Sequence, residues 1–234
     1  RSFLFFREPS ADMTVDPADI DEDLIAQSRV FQAGSNLLTE ARPRKATRHA
    51  LELAARHDCI VSYDPNIRLH LWPHPDEARR HATDVLDLAH VVKINEEELA
   101  FFADGGSLQT AWDTIFAPRG VLAVILTRAA AGAEVVTADA RVCVEAPAVD
   151  VVDTTGAGDG FLAGLWCAIF EHSLDDEPTV DSHELEALLR TWDDDDWRGI
   201  LRFACTAGSH VCTGLGATPA LPTREQLPPI STSD

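Results

Sequence analysis

Short apolar runs alternate with longer amphipathic stretches along most of this chain, and that alternation narrows the fold more than any single residue does. Residues 30–35, 59–63, 91–94 and 121–127 read as strands. Residues 39–56 and 75–88 read as helices, the first with Ala50, Leu51, Leu53 and Ala54 on its apolar side. Residues 96–102 and 108–116 are also helical in pattern. Strands separated by helices of this length predict βαβ units, a parallel sheet and helices on both of its faces. Residues 134–137 and 141–145 then read as a short hairpin around 138–140. Further helices are expected over 156–172, 182–191 and 197–213. Residues 1–7 read as a strand that begins in mid-domain, which suggests more sequence upstream.

The chain has 234 residues, 45% of them hydrophobic, which suits one α/β domain of ordinary size, or two small ones, with a sizeable core. Its formal charge of −20 disfavours nucleic acid, whose phosphates need a basic face, and disfavours docking on an anionic membrane. No apolar run is long enough to span a bilayer, and the opening stretch is too short for a signal peptide. The five cysteines are odd in number and contain no C-x-x-C pair. They read as reduced thiols in a cytoplasmic protein. Residues 173–181 read as an acidic surface loop and 219–234 as a flexible tail. The four aspartates at 193–196 read as a solvated face or a helix start rather than a metal site. Pro73 breaks any helical pairing of His70 with His74.

One segment carries chemistry. Val151 and Val152 precede Asp153-Thr154-Thr155-Gly156-Ala157-Gly158-Asp159, and an apolar helical stretch follows. Glycines permit a tight turn and close approach of a ligand. Free N–H groups and the dipole at a helix start favour an anion, such as a phosphoryl group in flight. Asp159, in the first helical turn, is placed to accept the proton of an attacking hydroxyl. The plain alternative is an Asp- and Gly-rich helix start in which Asp159 only complements the dipole. Neither the Walker motif nor the dinucleotide fingerprint is present; Gly214-Leu215-Gly216 lacks a third glycine and follows a helix.

The segment from Asp153 to Asp159, with Ala163-Gly164 beyond it, resembles the C-terminal signature of the pfkB (ribokinase-like) carbohydrate kinases. Other segments agree in order: Phe5-Phe6-Arg7 and the run from Tyr63 to Pro73 resemble the fructokinase branch, Asn95 to Glu98 resembles an Asn-x-x-Glu motif, and Gly216-Ala217 a Gly-Ala element. The resemblance covers essentially the whole chain as a single domain, 1–234. It implies a three-layer α/β/α fold with a mostly parallel central sheet. It also implies ATP, Mg²⁺ and a sugar substrate. Asp159 would be the base, and the N–H groups of Gly156, Ala157 and Gly158 the anion hole. Asn95 and Glu98 would organise Mg²⁺ and phosphates, mainly through water. Thr127, Gly132, Cys205, Ala207, Ser209 and Gly216 would lie near the nucleotide. Carbonyls around Asp153, Thr155 and Gly216 would suit a monovalent cation such as K⁺. Arg7 and Arg68 are candidates for sugar recognition, Arg68 equally for a structural ion pair.

The chain departs from the family pattern in two places. Ala129 stands where the Thr-x-Gly-x-x-Gly element usually has glycine. The family's N-terminal strands, sugar-binding Asp, Gly-Gly loop and β lid are absent from this chain. The resemblance therefore implies a ketose kinase of the fructokinase type. It leaves open 2-keto-3-deoxygluconate as substrate, and a non-catalytic paralogue. Family dimers often pair through the lid, so a homodimer is also left open.

Overall fold

The computed structural model describes residue 7, residues 10–173 and residues 181–230. Most of the strand expected at 1–7, most of the loop expected at 173–181, and residues 231–234 of the expected tail lie outside the described residues. The chain divides into two compact units, Arg1–Val121 and Leu122–Asp234.

The first unit is built from βαβ crossovers. Its elements are α1 (Glu22–Ala26), β1 (Val30–Ala33), α2 (Ala41–Arg56), β2 (Ile60–Tyr63), α3 (Pro75–Leu86), β3 (Val91–Asn95), α4 (Glu96–Ala103) and α5 (Leu108–Ala111). β1 pairs with β2 in parallel from Val30↔Ile60 to Ala33↔Tyr63, and β2 pairs with β3 in parallel through Ser62↔Val91 and Tyr63↔Val92. Every residue of β2 is buried, the mark of a parallel strand covered on both faces. α2 buries the face anticipated for it, including Ala50, Leu51, Leu53 and Ala54.

The boundaries differ where local hydrogen bonds decide them. β1 stops at Ala33 because Ser35 turns away and its N–H donates to the Pro65 carbonyl at 3.0 Å. A 3₁₀ turn, Asn36–Leu38, then delays the start of α2 to Ala41. The helix expected over 108–116 is α5 followed by a π turn, Trp112–Phe116, which buries both aromatic rings.

The second unit contains the antiparallel strands β4 (Ala123–Thr127), β5 (Ala133–Val136) and β6 (Arg141–Val144). β4 pairs with β5 from Val124↔Val136 to Thr127↔Ala133, and β5 pairs with β6 from Ala133↔Val144 to Val136↔Arg141. The helices α6 (Ala157–Ser173), α7 (Ser182–Thr191) and α8 (Asp194–Val211) complete it. α8 begins three residues before the expected Trp197. Asp193 caps it by accepting from the N–H groups of Asp195 and Asp196, and the Asp196 carboxylate accepts from Asp193 N–H in return. The aspartate run is thus a helix start.

α6 and α8 approach closely through small residues. A Cβ added at Gly164 would lie 2.6 Å from Ala207 Cβ and 3.2 Å from Ala204 Cα.

Candidate active site

In the second unit, the glycine turn leads directly into α6. Asp153 organises it. Its Oδ1 accepts from Thr155 N–H at 2.9 Å and from Thr155 Oγ1 at 2.8 Å. Its Oδ2 accepts from Gly216 N–H at 2.9 Å, 63 positions along the chain. One carboxylate therefore ties the turn before α6 to the turn after α8. Gly156 and Gly216 both take left-handed backbone, with φ of 80° and 82°.

Of the three N–H groups assigned to the anion hole, that of Ala157 donates to the Thr154 carbonyl at 3.2 Å. Those of Gly156 and Gly158 have no acceptor among the described residues. Asp159 follows in the first turn of α6, and its carboxylate is exposed with no hydrogen-bond or ion-pair partner among the described residues. The arrangement presents N–H donors beside a carboxylate open to solvent, which is what transfer of an anionic group to a hydroxyl needs.

Thr127 ends β4 and Gly132 opens the approach to β5. Between them Ala129 adopts φ 49°, so the position that glycine usually fills in the family does require left-handed backbone. Cys205 is buried on α8, and burial, then the neighbouring Cys143, pushes its thiol up to about 12. A thiol raised this far is not a nucleophile. Ser209 lies one turn further along α8, and its carbonyl accepts from Cys212 N–H at 3.1 Å.

In the first unit, polar residues gather at the carboxyl ends of the parallel strands, the usual place for ligands in such sheets. Asn95 and Glu98 form a reciprocal cap on α4. Glu98 N–H donates to Asn95 Oδ1 at 2.9 Å, and Asn95 N–H donates to Glu98 Oε2 at 3.0 Å. Glu98 Oε1 accepts from Ile67 N–H at 2.8 Å, so the same carboxylate anchors the loop after β2. Glu98 is only 2% exposed. Burial, reinforced by the nearby Asp64, raises its pKa, against the pull of the Ile67 and Asn95 N–H groups and Lys93. Burial, with Glu98 and Asp64 nearby, also pushes the Tyr63 hydroxyl well up.

Sequence reasoning missed the ion pair beneath this loop. Lys93 Nζ donates to Asp64 Oδ2 at 2.8 Å, and both side chains are buried. The available signal was Lys93 itself, since a lysine inside an apolar strand needs a carboxylate partner. Among the candidate sugar-binding residues, Arg7 donates to Asp12, to Thr39 Oγ1 and to the Asn36 carbonyl. Arg68 Nη1 donates to the Ile67 carbonyl at 3.2 Å.

Among the described residues, no group of three or more His, Cys, Asp or Glu side chains is placed to hold a metal ion. The buried Glu98, with both oxygens already accepting from backbone, suits Mg²⁺ approached through water and not by direct ligation. No helix among the described residues is long and apolar enough to cross a membrane.

The profile described as pfkB family carbohydrate kinase matches residues 1–224. Probable fructokinase-4 of Arabidopsis thaliana is 35% identical over 227 residues, which cover 97% of this chain and 65% of that protein. The chain thus spans about 65% of the length of that relative. The crystal structure of fructokinase with bound ATP from Xylella fastidiosa superposes with a TM-score of 0.84 at 28% identity, covering 97% of this chain and 68% of that one. Fructokinase from Vibrio cholerae O395, in its fructose, ADP and calcium ion bound form, gives a TM-score of 0.70 at 28% identity, covering 93% and 64%. This likeness gives the chain an α/β ribokinase-like fold.

Proposed function

The chain belongs to the pfkB family of carbohydrate kinases, and we propose that it transfers the γ-phosphate of ATP to a primary hydroxyl of a ketose such as fructose. The observation that carries this reading is the start of α6, where the free N–H groups of Gly156 and Gly158 adjoin the exposed, unpartnered Asp159. The fructokinase relatives support the ketose.

Asp159 takes the proton of the sugar hydroxyl as the hydroxyl oxygen attacks the γ-phosphorus in line, and the bond from that phosphorus to the β,γ-bridging oxygen breaks to release ADP. The Gly156 and Gly158 N–H groups donate to the phosphoryl oxygens as negative charge develops on them, aided by the positive end of the α6 dipole. Asp153 does not react; its hydrogen bonds to Thr155 and Gly216 fix the turn from both sides. The same bonds bring the Thr155 and Gly216 backbones to one carboxylate, which supports a K⁺ site built from their carbonyls. Mg²⁺ supplies charge neutralisation on the ATP phosphates when bound. Asn95 and Glu98 are the residues assigned to organise it, through water. Thr127, Gly132, Cys205, Ser209 and Gly216 are assigned to the nucleotide and Arg68 to the sugar. Arg7, engaged with Asp12 and Thr39, keeps a structural role beside any contact with sugar. The free cysteines support a cytoplasmic setting.

The test is ADP release from Mg-ATP by the full-length protein across a panel of sugars and sugar acids. The reading expects fructose to give the highest kcat/KM. Preference for 2-keto-3-deoxygluconate moves the substrate to the sugar acid. Tight Mg-ATP binding with no turnover on any sugar makes the chain a non-catalytic paralogue.

A further inference from the structure

The turn that joins β4 to β5 is held by three backbone hydrogen bonds. Arg128 N–H donates to the Gly132 carbonyl at 2.7 Å, Ala131 N–H to the Arg128 carbonyl at 3.0 Å, and Gly132 N–H to the Ala129 carbonyl at 3.0 Å. The turn is nevertheless strained, because Ala129 sits at φ 49°, where its Cβ crowds the following carbonyl. Its far end has no room to relax. A Cβ at Gly132 would fall 2.0 Å from the Val144 carbonyl oxygen, so the backbones there are already in close contact.

Something outside the turn must hold it. Glu134 lies two residues beyond Gly132 on β5 and is only 5% exposed. Its carboxylate is ion-paired to Arg128 on the turn, and to Arg141 Nε on β6 at 3.1 Å. A carboxylate this deeply buried is costly without cations beside it, so the burial of Glu134 and the pose of Arg128 depend on each other. Arg128 immediately precedes Ala129. Fixing its side chain restricts the one residue that would otherwise leave left-handed backbone.

We propose that Glu134 is a positioning residue, which through Arg128 holds residues 127–132 in the bent shape that meets the nucleotide. The inference rests on the nucleotide reading of Thr127 and Gly132. It also accounts for how this chain tolerates alanine at position 129.

The experiment uses full-length protein carrying Glu134→Gln, with Arg128→Gln reading the same ion pair from its other end should the first variant fold poorly. Arg141→Gln is the control, since it removes a Glu134 contact that does not touch the turn. Two readouts are taken: hydrogen exchange of the Ala131 and Gly132 amides, and KM for Mg-ATP against kcat. Loss of the ion pair should speed exchange and raise KM by ~10-fold each, with kcat within about two-fold. Adding Ala129→Gly to Glu134→Gln should restore both values, because glycine takes left-handed backbone without strain. Unchanged exchange in both Glu134→Gln and Arg128→Gln overturns the proposed clamp. Faster exchange with unchanged KM retains the clamp but overturns the nucleotide reading of the turn, and with it the positioning role.

Discussion

Glu98 carries the clearest electrostatic conflict in the first unit. Burial and Asp64 raise its pKa above the ordinary 4.5, while two backbone N–H groups and Lys93 oppose the rise. A carboxyl raised on folding binds its proton more tightly in the native state. Its contribution to stability is therefore fully present below about pH 4.5 and is lost as pH rises through the folded value. Glu98→Gln removes that dependence and leaves one of the two backbone donors without a good acceptor, at a cost of about 1 kcal/mol. Urea unfolding between pH 4 and 7 should show wild type ahead at low pH, with the gap narrowing as pH rises. Parallel curves would mean that Glu98 titrates in the native state as it does unfolded.

At the scale of elements, the contact between α6 and α8 depends on the missing side chain at Gly164. Adding one methyl group there overlaps Ala207 Cβ and presses on the Ala204 backbone. Gly164→Ala should therefore destabilise the protein by about 1–3 kcal/mol, measured as a lower denaturation midpoint with an unchanged slope. A neutral result would show that the two helices separate easily, and the Asp153–Gly216 tie would then be a weaker support for the turn than its geometry suggests. Much of this level was legible beforehand. Short apolar runs and amphipathic helical stretches located α2, α7, β2 and the β5–β6 hairpin because each is specified by its own residues. The start of α8 was misplaced because Trp197 is the first apolar residue, whereas Asp193 and Asp196 make the cap. The π turn after α5 has no local sequence signal.

For the whole molecule, what could be read in advance was what lies close together in sequence. Asp153, Gly156 and Asp159 fall within one turn, so their chemistry was visible as a motif. The Lys93–Asp64 pair was not, because its partners are 29 positions apart and meet only through parallel pairing of β2 with β3. The Arg128–Glu134–Arg141 network likewise joins a turn and two strands, and only the antiparallel register brings it together. The most direct test of the central claim, that this chain moves a phosphoryl group with Asp159 as base, is steady-state ADP formation from Mg-ATP and fructose by full-length wild type and Asp159→Asn. Because Asp159 is exposed and unpartnered, the variant should fold normally. Loss of a positioned base predicts a fall in kcat of at least ~10², with KM for Mg-ATP little changed. Wild-type kcat in Asp159→Asn would contradict the account.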